Sequence, residues 1–208
     1  MILIGQYDSP FVRRVAVAMS IYGLSFEHRP WSTFSDAAQV SRFNPLTRVP
    51  TLVLDGGESL IESDAIIDHL DELAGRERAL YPPGGAARRR AMRICALGAG
   101  VADAAVSLFY EKVFHREPSE ALSERRRGQI ARGLDALEAE RKATATPFWF
   151  GASPGHADIM VSCALRFLRE AHPTLFEASA LPALAVHAVR CEGLPAFRDH
   201  AQAFIPPA

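Results

Sequence analysis

Cysteine is scarce in this chain: the three residues Cys95, Cys163 and Cys191 stand far apart, with no Cys-x-x-Cys pair. A disulfide scaffold and a zinc ribbon are thereby excluded, and a cytoplasmic location is the default expectation. None of the seven histidines forms a His-x-x-x-His pair, so no metal is expected. The Gly-x-Ser-x-Gly elbow of serine hydrolases is missing, as is a glycine-rich phosphate loop. No apolar run approaches the roughly 18–20 residues of a membrane span. The opening residues, Met1 to Gln6, lack the basic region and long apolar core of a secretory signal, so no membrane partner and no export are expected. A net charge of −1 gives no basic excess for nucleic acid. Lysine is nearly absent, only Lys112 and Lys142 occurring, and nothing functional follows from that. The triplets Arg88–Arg90 and Arg125–Arg127 read as solvated helix faces.

What is present suits a globular protein: 208 residues, 49% apolar and 23% charged, enough for one large or two small domains. Residues 1–81 carry a net charge of −4 and residues 82–208 a net of +3. Between them lies Leu80-Tyr81-Pro82-Pro83-Gly84-Gly85, which can continue neither a helix nor a central strand. The expected division is therefore 1–79, a linker at 80–86, and 87–208.

Before the linker, Ile2–Ile4, Ser25–Arg29, Thr51–Leu54 and Ser59–Ile61 read as strands, the last two joined by Asp55-Gly56-Gly57-Glu58 as a hairpin. Pro10–Tyr22 reads as a helix with Val12, Val15, Ala16, Met19 and Tyr22 on one face. Asp36–Phe43 reads as a short helical segment, and Ser63–Ala74 as a helix with Ile66, Ile67, Leu70 and Leu73 inward. The order β-α-β-α-β-β-α predicts a mixed sheet covered by helices. After the linker nearly everything reads as helix: Ala87 to about His115, Ser119 to about Arg141, a buried segment over Ile159–Leu168, then Leu181–Cys191 and Pro195–Phe204. The fold class is α/β plus all-α.

Three places can carry chemistry. Ser9 precedes Pro10, so its hydroxyl sits at a helix N-terminus among free backbone N–H groups and the positive end of the dipole. It can cap the helix, or donate a hydrogen bond to an anion such as a thiolate held there. Arg48-Val49-Pro50-Thr51 places proline at the start of a strand. It is either a trans turn or a cis bond that leaves the Val49 N–H and C=O free to pair with an extended peptide. Glu62-Ser63-Asp64 lies between a strand and a helix: an ordinary cap with solvated acids, or a carboxylate site on the N–H groups with Glu62 facing an ammonium group.

In order and spacing, Ser9-Pro10-Phe11-Val12-Arg13-Arg14-Val15, Asn44-Pro45-Leu46, Val49-Pro50-Thr51-Leu52 and Glu62-Ser63 resemble the N-terminal domain of cytosolic glutathione transferases. The likeness is to the serine-type classes, the tau class and its bacterial relatives in particular, and it extends over the whole chain. It implies a thioredoxin-like β-α-β-α-β-β-α domain followed by an all-helical domain, glutathione as co-substrate, and a cytoplasmic homodimer acting in detoxification. Carried over, Ser9 stabilises the glutathione thiolate, Pro50 is the cis-proline, and Val49 pairs with the cysteinyl unit. Glu62 and Ser63 grip the γ-glutamyl end, Arg48 meets the glycyl carboxylate, and Phe11 lies beside them.

The implied reaction joins the thiolate to a small hydrophobic electrophile, or uses it in peroxide reduction or isomerisation. The alternative is a non-catalytic binding or regulatory protein of the same fold. A thiol-disulfide enzyme is disfavoured because serine stands where such relatives carry cysteine. The electrophile pocket is expected between the domains, with Phe34 and Tyr110 its candidate residues. Trp31, Phe109 and Phe114 can be pocket or core, and Asp103 can reach a neighbouring subunit's ammonium group, stay solvated or act as a cap. One departure stands out. The family begins its central helix with Ser/Thr-x-x-Asp, whereas here the run is Gly155-His156-Ala157-Asp158. Either glycine holds the cap, or the helix starts earlier, at Ser153-Pro154.

Overall fold

Four three-residue strands form the sheet: β1 (Ile2–Ile4), β2 (Glu27–Arg29), β3 (Thr51–Val53) and β4 (Ser59–Ile61). The computed structural model describes residues 1–178, 180–204 and 206. The strand order is β2-β1-β3-β4, with β1 parallel to β2 and antiparallel to β3, and β3 antiparallel to β4. A parallel neighbour requires a crossover, and α1 (Pro10–Tyr22) supplies it. α2 (Ala37–Val40) precedes β3, and α3 (Ser63–Ala74) follows β4.

The helical part comprises α4 (Gly85–Phe114), α5 (Glu120–Lys142), α6 (His156–Ala171), a 3-10 turn at Pro173–Leu175, α7 (Pro182–Glu192) and α8 (Pro195–Asp199). By length and composition α4 could cross a membrane. Its Ile94, Val101, Ala105 and Leu108 instead enter a core with Ile130 and Leu134 of α5 and Met160, Val161 and Leu165 of α6.

Several boundaries differ from those expected. β2 starts at Glu27 rather than Ser25, and β3 ends at Val53 rather than Leu54. α4 begins at Gly85, inside the stretch expected to be linker. α2 is shorter than Asp36–Phe43 because the Asp36 carboxylate turns back to the Ser32 N–H (3.0 Å) and gives α2 no side-chain cap, while Phe43 N–H bonds to the Val40 carbonyl three residues back at 3.0 Å. α8 ends at Asp199, five residues before Phe204. The guanidinium of Arg13 takes the Phe197 carbonyl (2.8 Å) and the His200 carbonyl (2.9 Å), which a longer helix would need for its own N–H groups. Leu73, expected inward, is 53% exposed.

α1 is covered on every side. Leu3, Leu52, Ile66 and Leu70 pack against it from the sheet and α3, and Ile159, Cys163 and Phe197 from the helical part. Its two arginines are therefore buried too: Arg13 is 1% and Arg14 0% exposed. Each has partners. Arg13 makes a two-pronged pair with Glu192 at 2.6 and 2.7 Å in addition to its two carbonyls, as a buried guanidinium requires.

The linker is held by a second buried polar set. Asp71 of α3 accepts from the Tyr22 hydroxyl and lies 2.7 Å from Nε2 of His156, the first residue of α6. The Leu80 N–H donates to the Tyr22 oxygen at 2.9 Å. Burial alone would raise the Asp71 carboxyl, but the His156 and Tyr22 hydrogen bonds bring it below the usual range. Burial pushes His156 down despite Asp71, so its ring is neutral near pH 7.

Gly155 caps α6 directly, the first of the two starts expected for this helix, and Ser153-Pro154 lies outside it. Its N–H meets the Asp158 carboxylate at 2.9 Å, and the other Asp158 oxygen takes the Trp149 N–H at 3.0 Å. A Cβ at position 155 would lie 2.7 Å from the Leu80 carbonyl oxygen, which also accepts the His156 N–H at 3.3 Å. The close approach of the linker leaves room at this position for glycine and not for the serine or threonine expected there.

Candidate functional site

The loop from β1 to α1 places Ser9. Gly5 opens it with φ +127°, and a Cβ there would lie 2.5 Å from Val12 Cγ2 and 2.8 Å from Val49 Cβ. Only glycine lets the loop lie this close to Val49, and that brings Ser9 and Val49 to the same side of the sheet. Ser9 is the N-cap of α1, with Pro10 as first helical residue. Its oxygen accepts the Val12 N–H at 3.4 Å. A hydroxyl that accepts in this way keeps its own hydrogen to donate outward.

The second loop places Val49. Buried Asn44 donates to the Arg48 carbonyl at 2.9 Å and accepts the Leu46 N–H at 3.0 Å, clamping residues 44–48. The Val49–Pro50 bond is cis, as one of the two sequence readings had it. Pro50 itself is buried behind Val49.

At β4 to α3, Glu62 takes φ +68°, the left-handed region, and occupies the cap position without a side-chain cap bond. Ser63 is therefore the first helical residue and not the cap, correcting that reading. Its buried hydroxyl accepts from Arg14 Nη1 at 3.2 Å, and the same nitrogen bonds Asp64 at 2.7 Å. Arg14 and Asp64 stood within the quoted motifs without a role of their own, yet Arg14, itself paired with Asp64, holds Ser63 in place. The signal was an arginine pair inside an apolar helix. Glu62 pairs with Arg48 at 3.2 Å, both side chains about half exposed (51% and 57%). Such a pair contributes little to stability, so an incoming carboxylate at Arg48 and ammonium group at Glu62 can replace it at small cost.

A cleft of about 1090 Å³ joins these loops to the helices. Ser9, Phe11, Arg48 and Val49 line one side; Phe34, Tyr110, Phe109 and Phe114 line the other. Phe34 and Tyr110, the two pocket candidates, meet edge to face at 5.6 Å, and Phe114 stacks on Phe34 at 5.5 Å. Trp31 lines the cleft and also packs on Phe43. Asp103 lines it near Arg48 from the middle of α4, so it caps nothing. Burial raises its carboxyl even though Arg48 draws it down. Pro50, Glu62 and Ser63 are not part of the cleft lining; Glu62 lies one ion pair beyond Arg48. The three cysteines are buried, and burial pushes Cys163 and Cys191 up to about 12, so neither supplies a thiolate. Among the described residues no cluster of three or more His, Cys, Asp or Glu is placed to hold a metal.

The site thus joins a helix N-terminus carrying a hydroxyl, the turn before a cis-proline, a cation and an anion to an aromatic pocket. Residues 3–78 match the family model for the glutathione S-transferase N-terminal domain, and residues 120–203 that for the C-terminal domain. The chain is 34% identical over 140 residues to the uncharacterized GST-like protein YibF of Escherichia coli K12, covering 65% of this chain and 67% of that protein. Further curated relatives are matched over only about a third of their own length. Among solved structures, a glutathione S-transferase from Methylobacterium radiotolerans in complex with glutathione sulfonate superposes with a TM-score of 0.88 and 30% identity, over 100% of this chain and 98% of that one. Another from Methylobacillus flagellatus, with GSH bound, gives a TM-score of 0.86 and 28% identity over 96% and 98%. With its thioredoxin-like sheet domain, its helical domain and both family models matched, the chain belongs to the glutathione S-transferase family.

Proposed function

We propose that the protein is a serine-type glutathione transferase. Ser9 donates its hydroxyl hydrogen to the glutathione sulfur and favours the thiolate over the thiol. Val49 pairs through its backbone with the cysteinyl unit. Glu62 and Ser63 hold the γ-glutamyl end, Arg48 the glycyl carboxylate, and Phe11 flanks the sulfur. The thiolate then forms a carbon–sulfur bond with a small hydrophobic electrophile lying against Phe34 and Tyr110, either displacing a leaving group that departs with the bonding electron pair or adding to an activated double bond whose far carbon then takes a proton from solvent. The observation that carries this reading is that Ser9 and Val49 share one cleft with an aromatic wall from α4. The ligands of the two solved relatives agree with it.

The proposed working form is a cytoplasmic homodimer. Calorimetric titration with glutathione, followed by the ultraviolet absorbance of bound thiolate against pH, tests the reading. Binding with a thiol pKa lowered below that of free glutathione supports it. Absence of binding would shift preference to a non-catalytic binding or regulatory protein of the same fold.

A further inference from the structure

Residues 200–204, beyond α8, have no regular structure, yet they are pinned at every second residue. The His200 carbonyl accepts from Arg13 at 2.9 Å and the Gln202 carbonyl from Arg166 at 3.4 Å. The Phe204 N–H donates to Glu170 at 2.8 Å. The pinning groups are themselves linked: Arg166 pairs with Glu170 at 2.9 Å and with Glu192 at 3.2 Å, and Glu192 is the partner of buried Arg13. Residues 200–204 are thus a strap tied across α1 and α6 by a charged network.

Two side chains of the strap bear on the site, one by holding the loop that carries Ser9 and the other by lining the cleft. The Gln202 side-chain oxygen accepts the Tyr7 N–H at 3.0 Å. Tyr7 lies two residues before Ser9, its ring stacked on His28 at 3.9 Å and met edge-on by His200 at 5.1 Å. His28 is anchored in turn to the Gly5 carbonyl at 2.8 Å. The loop carrying Ser9 is therefore held by the strap as well as by the sheet. Phe204 lines the cleft, its ring edge-on to Phe109 of α4 at 5.0 Å and to Phe167 of α6 at 5.5 Å.

We infer that this strap sets the acceptor specificity of the cleft: Phe204 is a specificity-determining residue forming the end wall of the electrophile pocket, and Gln202 is a positioning residue for the Ser9 loop. The inference rests on the glutathione reading above. Ser9 and Phe204 line the same cleft, so an aromatic group attached to the glutathione sulfur extends the ligand into the space that Phe204 borders, as a methyl group does not. The side chain at 204 therefore acts on the substituent and not on the peptide.

The test uses the full chain and three probes: glutathione, S-methylglutathione and S-(4-nitrobenzyl)glutathione, titrated calorimetrically. Phe204→Ala is expected to weaken the nitrobenzyl probe about tenfold, the scale of one or two lost aromatic contacts, and to leave the other two within about twofold. Phe204→Leu, which keeps an apolar wall, should fall between. Gln202→Met removes the acceptor at similar length. It should raise the pKa of bound glutathione, leaving roughly threefold less thiolate at fixed pH, with S-methylglutathione binding unchanged.

Equal losses on all three probes for Phe204→Ala, or no loss on any, would overturn the role of Phe204. An unchanged thiol pKa in Gln202→Met would overturn that of Gln202. Failure of the unsubstituted protein to bind glutathione would instead overturn the glutathione reading, and the strap with it, so the two failures are distinguishable.

Discussion

Replacing Gly155 by serine would install a preferred N-cap residue at the start of this helix, and local rules alone favour the change. A serine N-cap gains a few tenths of a kcal/mol over glycine. Two effects compete here, and their magnitudes decide the sign. The new Cβ would meet the Leu80 carbonyl oxygen at 2.7 Å, and that neighbour is backbone, so no rotamer change can relieve the contact. Overpacking of this kind costs about 1–3 kcal/mol. The linker must shift, which stretches the His156 N–H bond to Leu80 (3.3 Å) and the Leu80 N–H bond to Tyr22 (2.9 Å).

The net expectation is a destabilisation of about 1–2 kcal/mol, or roughly 2–8 °C in Tm for a chain of this size. Gly155→Ala carries the same Cβ without the hydroxyl and should lie about 1 kcal/mol lower again. Thermal unfolding followed by circular dichroism, with urea titrations in parallel, measures both. The expected ranking is glycine above serine above alanine. A serine variant as stable as the natural protein, or more stable, would refute the steric account of Gly155.

Three further outcomes are expected. Ser9→Ala should keep the fold, lose about 1 kcal/mol of helix capping, and raise the bound thiol pKa by roughly 1–2 units, since a hydrogen bond to a charged group contributes ~1.5–3 kcal/mol; an unchanged absorbance titration would remove Ser9 from the mechanism. Glu62→Ala, Ser63→Ala and Arg14→Met should raise the KM for glutathione with little change in kcat, because they act on ground state and transition state alike; a fall in kcat at constant KM would contradict their placement at the γ-glutamyl end. Acid should destabilise the protein early: burial depresses His28, His156, His172 and His187, the last to about 3, so their contribution is complete above about pH 6.5 and is lost as the pH falls through that window toward 3. A fully buried ring such as His187 contributes up to about 1.4 kcal/mol per pH unit in this window, and the partly exposed His28 less. Asp158, which burial raises to about 6, runs the opposite way and offsets one of the four. A Tm that stays flat from about pH 7 to pH 5 would show that these rings are not held neutral.

The amino-acid sequence by itself determined the parts of this protein that depend on neighbours along the chain. β1, β4, α1 and α3 lie at the expected residues, because short apolar runs, a Ser-Pro start and glycine-bearing turns act within a few positions. The structure brings Ser9, Val49, Phe34 and Tyr110 to one cleft; local patterns marked Ser9 and Val49-Pro50 in the sequence, the cis bond being one of two readings there, whereas Phe34 and Tyr110 were expected only from the place of the pocket between the domains. Tertiary structure alone decided the rest. Arg13 reads as surface on a helical wheel, yet it is buried, because Glu192, 179 positions later, arrives beside it. That same guanidinium ends α8 by taking its carbonyls, which turns the expected helix end at Phe204 into a wall of the cleft. Ser63 exchanged a cap for the hydrogen bond from Arg14, and Gly155 was selected by the linker's carbonyl oxygen. The reason is common to all of these cases. Propensity and capping are energies of adjacent residues, whereas desolvation of a charge and contact between distant backbones exist only once the chain has brought its remote segments together.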